Sequence, residues 1–354
     1  MHKYDRIISI LGVVILACFL TIVPAIAEYT VQAPEGYEAG GTLPVYKAVE
    51  INFLPVVQPE WFNRTGIAEK QDKNFFTFND HARLYFYEDS ISYTEYTGEE
   101  YDQNQWLREN GEPDIEPDMF PENALSAEIA RLGKYAFNGR YECFQGICLE
   151  HDQLSLLSLA DARQTAEELL DHLGINGYEC AYALDMNLER IQDLGKALNE
   201  LQEGSRPVNY AAATVEDEGY YLYYAPLGIP HRGSAESNIP WVRLFINSHG
   251  IADASISCQY SMEEAVNTPA RLLTPEEAVN RFNEELEELP REKAAVKSVD
   301  QVNLTYIPLR AENKKDGMVF APVWNILYTR SNGTSNFWAD FNAVNGTLID
   351  AFFR

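Results

Sequence analysis

Basic residues are scarce in this 354-residue chain, which has 27 Lys and Arg against 54 Asp and Glu and a formal net charge of −27. A surface of that charge repels phosphate backbones and anionic lipid headgroups, so we expect no nucleic-acid partner. Hydrophobic residues make up 46% of the chain and charged residues 23%. These fractions are typical of a folded globular protein and exclude a disordered or collagen-like one.

Long hydrophobic runs are absent except at the N-terminus. Two basic residues there precede an uncharged, mostly apolar run over residues 7–26, and Ala-Ile-Ala at 25–27 is a pattern that signal peptidase can cut. This architecture predicts an export signal over residues 1–27. An uncleaved membrane anchor and lipid attachment at Cys18 are the alternatives. We expect the body of the protein outside the cytoplasm, secreted or at the cell surface, and touching a membrane only through an uncleaved N-terminal segment.

Cysteine is also rare, and beyond the predicted signal only Cys143, Cys148, Cys180 and Cys258 remain. An oxidising compartment permits any of their three pairings. A Cys143–Cys148 bond would close a small loop, and a Cys180–Cys258 bond would join two strands of one sheet. Free thiols are the alternative. Because there is no Cys-x2-Cys pair and no histidine pair at ligand spacing, the sequence predicts no metal site.

Catalytic motifs are missing as well. The chain has no Gly-x-Ser-x-Gly elbow, no Gly-x4-Gly-Lys loop and no Gly-x-Gly-x-x-Gly turn. Cys143 or Cys148 with His151 is the one local pairing of a nucleophile with a base, and a disulfide hairpin beside an exposed histidine is the favoured interpretation. We therefore predict no catalytic residues, no cofactor and no enzymatic activity.

An internal repeat is the clearest feature that is present. Residues 156–173 match residues 272–289 at six of 18 positions. Each copy opens with a hydroxyl residue, Ser158 or Thr274, and an acidic residue follows three positions later, which is the pattern of a capped helix start. Apolar residues then recur at helical spacing. The repeat predicts two amphipathic helices, over Ala162–Leu173 and Ala278–Leu289.

Strand-like segments follow each predicted helix. They are rich in β-branched and aromatic residues and are separated by short turns, which predicts antiparallel pairing. The segment Leu188–Gln202 predicts a further helix inserted in the first set. The predicted fold class is α+β, with tandem units of one helix on a small antiparallel sheet and a mostly β N-terminal region.

The expected domain boundaries follow from this repeat. After the signal at 1–27 comes an N-terminal, mostly β region over 28–150, in which Tyr135–Leu149 is predicted to be a strand pair. The first helix-on-sheet unit spans 151–262 and the second spans 263–354. An acidic, proline-containing surface loop is expected over Gly98–Asn123.

The second unit carries the segments Pro322-Val323-Trp324, Phe337-Trp338 and Asn345-Gly346 after its capped helix. This order resembles the PepSY-type pattern, and the whole resembles uncharacterised exported proteins of Gram-positive bacteria. More distantly it resembles the YycH/YycI-type partners of membrane sensor kinases. The resemblance covers roughly residues 155–354. It implies inhibition, regulation or binding of other envelope proteins, and it carries no catalytic residues.

Aromatic residues are in excess, at 43 of 354. Strands such as Tyr220–Tyr224 place alternate rings on opposite faces, so one set packs in a core and the other set is available to solvent or a partner. Core packing of both sets is the competing interpretation. The candidate binding surface consists of Tyr221, Tyr223, Trp241, Trp324 and Trp338.

These observations lead to one functional hypothesis and two alternatives. The leading hypothesis is an exported, non-enzymatic protein that binds or regulates another envelope or secreted protein, with exposed strand edges as the contact surface. Its acidic surface favours a basic partner. The alternatives are a binding protein for cell-wall glycan or a small ligand, and a hydrolase with dispersed carboxylates.

Overall fold

The computed structural model describes residues 29–34, 37–79, 81–96, 124–139, 142–144, 146–202, 207–230, 240–267, 271–288, 296–311, 317–331 and 337–351. The predicted signal and the predicted acidic loop over Gly98–Asn123 therefore lie outside the described residues. The described part contains fifteen strands in two sheets and four α-helices.

The larger sheet has eight antiparallel strands in the order β3-β4-β5-β6-β10-β9-β8-β7. Its strands are β3 (Ala68–Asp72), β4 (Phe75–Phe78), β5 (Ala82–Phe86), β6 (Ser90–Glu95), β7 (Tyr178–Met186), β8 (Gly219–Pro226), β9 (Trp241–Asn247) and β10 (Gly250–Ser257). The sheet is thus two meanders, one from the N-terminal region and one from the first repeat. They join where β6 pairs with β10.

The smaller sheet has seven strands, of which β12, β13, β14 and β15 form a meander. Its strands are β1 (Thr30–Gln32), β2 (Val45–Glu50), β11 (Tyr260–Asn267), β12 (Val296–Arg310), β13 (Met318–Arg330), β14 (Phe337–Asn342) and β15 (Leu348–Ala351). The first strand pairs with β12 in parallel, and β2 joins β11 to β13. The N-terminal region therefore supplies strands to this sheet too.

The four helices are α1 (Leu125–Asn138), α2 (Leu159–Leu173), α3 (Leu188–Leu201) and α4 (Pro275–Glu287). Both predicted caps are confirmed: the hydroxyl of Ser158 accepts a hydrogen bond from the Asp161 amide, and Thr274 with Glu277 forms a capping box. Gly174 ends α2 in the left-handed conformation that glycine adopts without strain. The predicted helix at 188–202 is also confirmed as α3.

Two hydrophobic clusters hold these layers together. The larger cluster combines the buried stripes of α2 and α4 with one face of each sheet, so that Tyr178 of β7 meets Phe320 of β13 edge to face. The smaller cluster lies on the opposite face of the eight-stranded sheet, under α1 and α3. The eight-stranded sheet is therefore covered by helices on both faces over part of its width.

The predicted fold class is wrong in its architecture. The described residues are 43% strand and 25% helix, and they form two large sheets, not tandem units of one helix on a small sheet. The two predicted repeat meanders exist, but strands from residues 29–95 extend both of them, and α1 and α3 cover a face that the tandem arrangement leaves open. Strand β11 crosses the predicted boundary at 262 and pairs with β2. Such long-range pairing leaves no local signature in the sequence.

The N-terminal region contains a helix, α1, that the prediction from the sequence patterns does not include. The structure has the helix α1 over Leu125–Asn138 and a short 3-10 turn over Glu142–Phe144 where a strand pair was predicted over Tyr135–Leu149. Gly139 ends α1 at φ 55°. Because apolar residues recur at helical spacing from Leu125 to Phe137, the pattern for this helix is present in the sequence.

Candidate functional site

The predicted aromatic binding surface is not a surface. Tyr221, Tyr223, Trp324 and Trp338 are 5% exposed or less, and Trp241 is half-buried. Strand alternation does separate the rings onto two faces, but helices or the second sheet cover both faces at these positions. Trp324 donates its indole N–H to the carbonyl of Leu273, 3.0 Å away, which is a structural role.

The predicted disulfides do not form. Cys143, Cys148, Cys180 and Cys258 are all free thiols. Cys258 is buried, and its thiol lies 3.1 Å from the hydroxyl of Tyr178, so this side chain packs within the core. Burial raises the pKa of the Cys180 thiol, which lowers its reactivity.

His151 has a structural partner. Its Nδ1 lies 2.8 Å from Oδ2 of Asp185, which is fully buried and also accepts hydrogen bonds from the Glu150 amide and the Arg190 guanidinium. This carboxylate ties the segment before α2 to the start of α3. Among the described residues there is no group of three or more His, Cys, Asp or Glu side chains that could hold a metal ion.

A cleft of about 300 Å³ lies between α1 and the eight-stranded sheet. Its lining comes from α1 and from strands β5, β6, β8, β9 and β10. The lining residues are Arg83, Ser92, Thr94, Ala127, Ala130, Arg131, Lys134, Tyr221, Arg243, Asp253, Ala254 and Ser255. Four of these side chains are cationic and one is acidic, which is the reverse of the charge balance of the whole chain.

Strand register brings most of these residues together in two rows. Arg83, Thr94 and Asp253 are cross-strand partners on β5, β6 and β10. In the next row Ser92 pairs with Ser255, and Ser255 pairs with Arg243 on β9. The short side chains of Ser92 and Ser255 leave space above the sheet between longer neighbouring side chains, and this space is the bottom of the cleft. The cleft therefore follows from the register of four strands.

A β-bulge directs Asp253 into the cleft. The register of β10 against β9 shifts between Ile251 and Asp253. Ile251 and Ala254 belong to the larger core cluster, whereas Ala252 belongs to the smaller cluster on the cleft side. Simple alternation from Ile251 would place residue 253 on the far face, so the bulge re-aims its carboxyl group.

Helix α1 closes one side of the cleft and sits very near the sheet. A Cβ added to Gly133 would lie 2.6 Å from Cγ of Tyr221, so only glycine allows this approach. One turn further on, Phe137 stacks on Tyr223 at a centroid distance of 4.2 Å. Arg131 is held by an ion pair to Glu128 at 2.8 Å. These contacts fix the helix that carries Arg131 and Lys134.

Arg243 and Tyr221 of the cleft have polar atoms without a hydrogen-bond partner among the described residues. Arg243 makes no ion pair with any described carboxylate, and its buried Nε has no hydrogen-bond partner there. Its guanidinium lies 3.9 Å from the ring centroid of Trp241, so cation–π stacking holds it in place. The hydroxyl of Tyr221, a residue 3% exposed, likewise has no partner among the described residues. Both groups can donate a hydrogen bond, and both residues line the cleft.

Asp253 is the acidic group of the cleft. Desolvation raises the pKa of its carboxyl to about 7, and the nearby charges of Glu95 and Glu128 act in the same direction. A hydrogen bond from Thr94 Oγ1 to Oδ2 at 3.0 Å and the charge of Lys134 oppose the rise. The residue is half-buried and lines the cleft. Asp253 therefore changes its protonation near neutral pH.

Sequence reasoning missed this site because its parts are far apart in the chain. Thr94 and Asp253 are 159 positions apart, and no local motif marks their pairing. The alternation of serine with apolar residues in Ser90–Glu95 and again in Gly250–Ser257 was the available signal, since both strands present one polar face.

Comparison with known proteins adds no family and no function. No family model matches the chain, and no curated protein matches it. A crystal structure of an uncharacterized protein from Eubacterium rectale ATCC 33656 is similar, with a TM-score of 0.47 and 13% identity over 92% of each chain. A likeness this weak supports no inference about this chain. Among the described residues, no helix is both long enough and apolar enough to cross a bilayer.

Proposed function

We propose that this protein binds a small oxyanion, a ligand with a carboxylate, sulfate or phosphate group, in the cleft under α1. The observation that carries the proposal is the guanidinium of Arg243, which stacks on Trp241 and lines the cleft together with Tyr221. Among the described residues, neither the Arg243 Nε nor the Tyr221 hydroxyl has a hydrogen-bond partner. A fixed guanidinium with unused N–H groups is suited to a planar or tetrahedral oxyanion.

The shape and charge of the cleft support the same conclusion. A volume of about 300 Å³ is at the lower end for small-molecule sites, so the ligand is a small one. Four cationic side chains surround the floor, and the serine and threonine hydroxyls of β6 and β10 supply neutral hydrogen bonds. Focusing of positive charge in a cleft of an otherwise acidic protein attracts anions specifically to this place.

The test is a calorimetric titration of the purified protein with sodium sulfate and with sodium D-glucuronate, at constant ionic strength. We expect saturable binding of one anion per chain. Because a charge-assisted hydrogen bond contributes about 1.5–3 kcal/mol, Arg243→Gln should weaken affinity by roughly 10-fold or more.

The matched control is Arg64→Gln, since Arg64 is a surface arginine with a 71% exposed side chain that pairs with Glu168. The Arg64→Gln variant should bind sulfate and glucuronate with the affinity of the unsubstituted protein. D-Glucose, which has the glucuronate ring without the carboxylate, should not bind. The proposal is wrong if glucose binds as well as glucuronate, or if both arginine variants lose the same affinity.

The expected association with a basic envelope or secreted protein stays a prediction, as do export and the extracytoplasmic location. The association with a basic protein would use the acidic outer surface and not this cleft, because the cationic side chains of the cleft favour an acidic ligand. The small-ligand alternative is the one that the cleft favours.

A further inference from the structure

We infer that the oxyanion is bound together with one proton, which Asp253 holds and donates as a hydrogen bond to the ligand. This inference rests on the proposed function and adds the role of the one acidic side chain that lines the cleft. In balanced form, the free protein with ionised Asp253, one anion and one proton give a complex in which Asp253 is a neutral carboxylic acid.

The geometry explains why the proton accompanies the anion. Oδ2 of Asp253 already accepts a hydrogen bond from Thr94, so the proton resides on Oδ1, which makes no hydrogen bond to any described residue. An ionised Asp253 would repel the anion at close range and would compete with it for the cations. A protonated Asp253 removes the repulsion and supplies a donor, as neutral carboxylic acids do in other oxyanion sites.

The charges around Asp253 come from every element that borders it. They are Arg83 on β5, Glu95 on β6, Arg243 on β9, and Glu128, Arg131 and Lys134 on α1, with the hydroxyls of Thr94 on β6 and Tyr221 on β8. Desolvation outweighs the cations here, and the pKa of Asp253 stands at about 7 in the free protein. Burial keeps the Tyr221 hydroxyl protonated by raising its pKa, so it adds no charge in the neutral range. A bound anion raises the pKa of Asp253 further, because like charges disfavour ionisation.

The expected pH dependence follows from linkage. Below about pH 6 Asp253 is already protonated, and the affinity should not change with pH. Above pH 7 each anion must bring a proton with it, so the affinity should fall by up to tenfold per pH unit. Sulfate is the probe, since it does not titrate between pH 5 and 9.

The experiment is a sulfate titration at pH 5.5, 7.0 and 8.5, repeated at pH 8.0 in buffers with different enthalpies of ionisation. The unsubstituted protein should lose about tenfold or more in affinity between pH 7.0 and 8.5 and should take up close to one proton per sulfate. Asp253→Asn, whose amide is always a neutral donor, should bind without this pH dependence and without proton uptake. Thr94→Ala, which removes the hydrogen bond that favours the ionised carboxyl, should shift the fall in affinity to higher pH.

A stability measurement gives an independent readout for the same variants. A carboxyl whose folded pKa lies above its unfolded value binds more protons in the folded state, so stability falls as pH rises between about 4 and 7. In urea unfolding, Asp253→Asn should therefore have the same free energy of unfolding as the unsubstituted protein near pH 4 and a higher one at pH 8.

The outcomes separate the two proposals. Absence of sulfate and glucuronate binding at every pH would overturn the proposed function. Binding that is constant from pH 5.5 to 8.5, or a pH dependence that persists in Asp253→Asn, would overturn the proton-linked binding alone.

Discussion

Buried tyrosine hydroxyls differ in whether the protein provides them with a hydrogen-bond partner. Tyr306 donates its hydroxyl to the carbonyl of Pro44 at 2.8 Å, whereas Tyr221 has no such partner among the described residues. Both rings are almost fully buried. A buried hydroxyl without a partner costs about 1–3 kcal/mol.

The two tyrosines therefore predict opposite effects of the same substitution. Tyr221→Phe should leave the free energy of unfolding unchanged or raise it by up to about 1 kcal/mol, while weakening sulfate binding. Tyr306→Phe should lower the free energy of unfolding by about 1 kcal/mol, because it leaves the Pro44 carbonyl without its donor. Urea unfolding of both variants measures this difference. Equal losses of stability would show that the Tyr221 hydroxyl is satisfied in the folded protein.

At the scale of elements, α1 is the part of the fold that makes the cleft. Three features seat it on the eight-stranded sheet: the close approach of Gly133, the stacking of Phe137 on Tyr223, and the buried apolar residues Ile129 and Leu132. The helix carries two of the four cations of the site. Any change that lifts α1 should thus alter stability and ligand affinity together.

Gly133→Ala tests this seating. In an exposed helix interior the substitution would stabilise by about 1 kcal/mol, but here the added Cβ meets the Tyr221 ring and we expect a loss of about 1–3 kcal/mol with weaker sulfate binding. Asn138→Ala, at an exposed position at the end of the same helix, should change stability by less than about 0.5 kcal/mol. Urea unfolding and the sulfate titration provide the measurements. A more stable Gly133→Ala would contradict the close packing of α1.

At the scale of the whole molecule, the two sheets interleave distant parts of the chain. Residues 29–95 supply six of the fifteen strands, and these strands lie in both sheets. Removal of this region would expose the edge of β10 that β6 covers and would take β2 away from β11 and β13. The two repeat units consequently depend on the region that precedes them.

A fragment of residues 151–354, which holds both predicted units, tests this dependence. We expect it to lack a cooperative urea transition and the near-ultraviolet circular dichroism of packed aromatic rings. A chain of residues 28–354 is the control, and it should show both. Cooperative unfolding of the shorter fragment would restore the view of independent tandem units.

Much of the local structure could be predicted from the sequence. The caps of α2 and α4, the inserted helix α3 and most strands of the two repeats are where the patterns indicate. The candidate site could not be predicted, because no helix was expected over Leu125–Asn138, whose last four residues fell in a predicted strand pair. In addition, the pairing of Thr94 with Asp253 joins segments 159 positions apart. Of the two interpretations of the aromatic strands, the burial of rings such as Tyr221 and Trp324 agrees with core packing and not with a binding surface.

By itself the sequence determined what depends on neighbours a few residues apart. The Ser158 cap on the Asp161 amide, the alternation along each strand and the acidic overall charge are of this kind. The tertiary structure alone decided which strands pair, where the bulge turns Asp253 and which polar groups, such as the Arg243 Nε, have no partner in the part of the chain that the structure describes. The physical reason is that capping and alternation involve neighbouring residues, whereas the pairing of β6 with β10 joins segments far apart in the chain, as the 159 positions between Thr94 and Asp253 show.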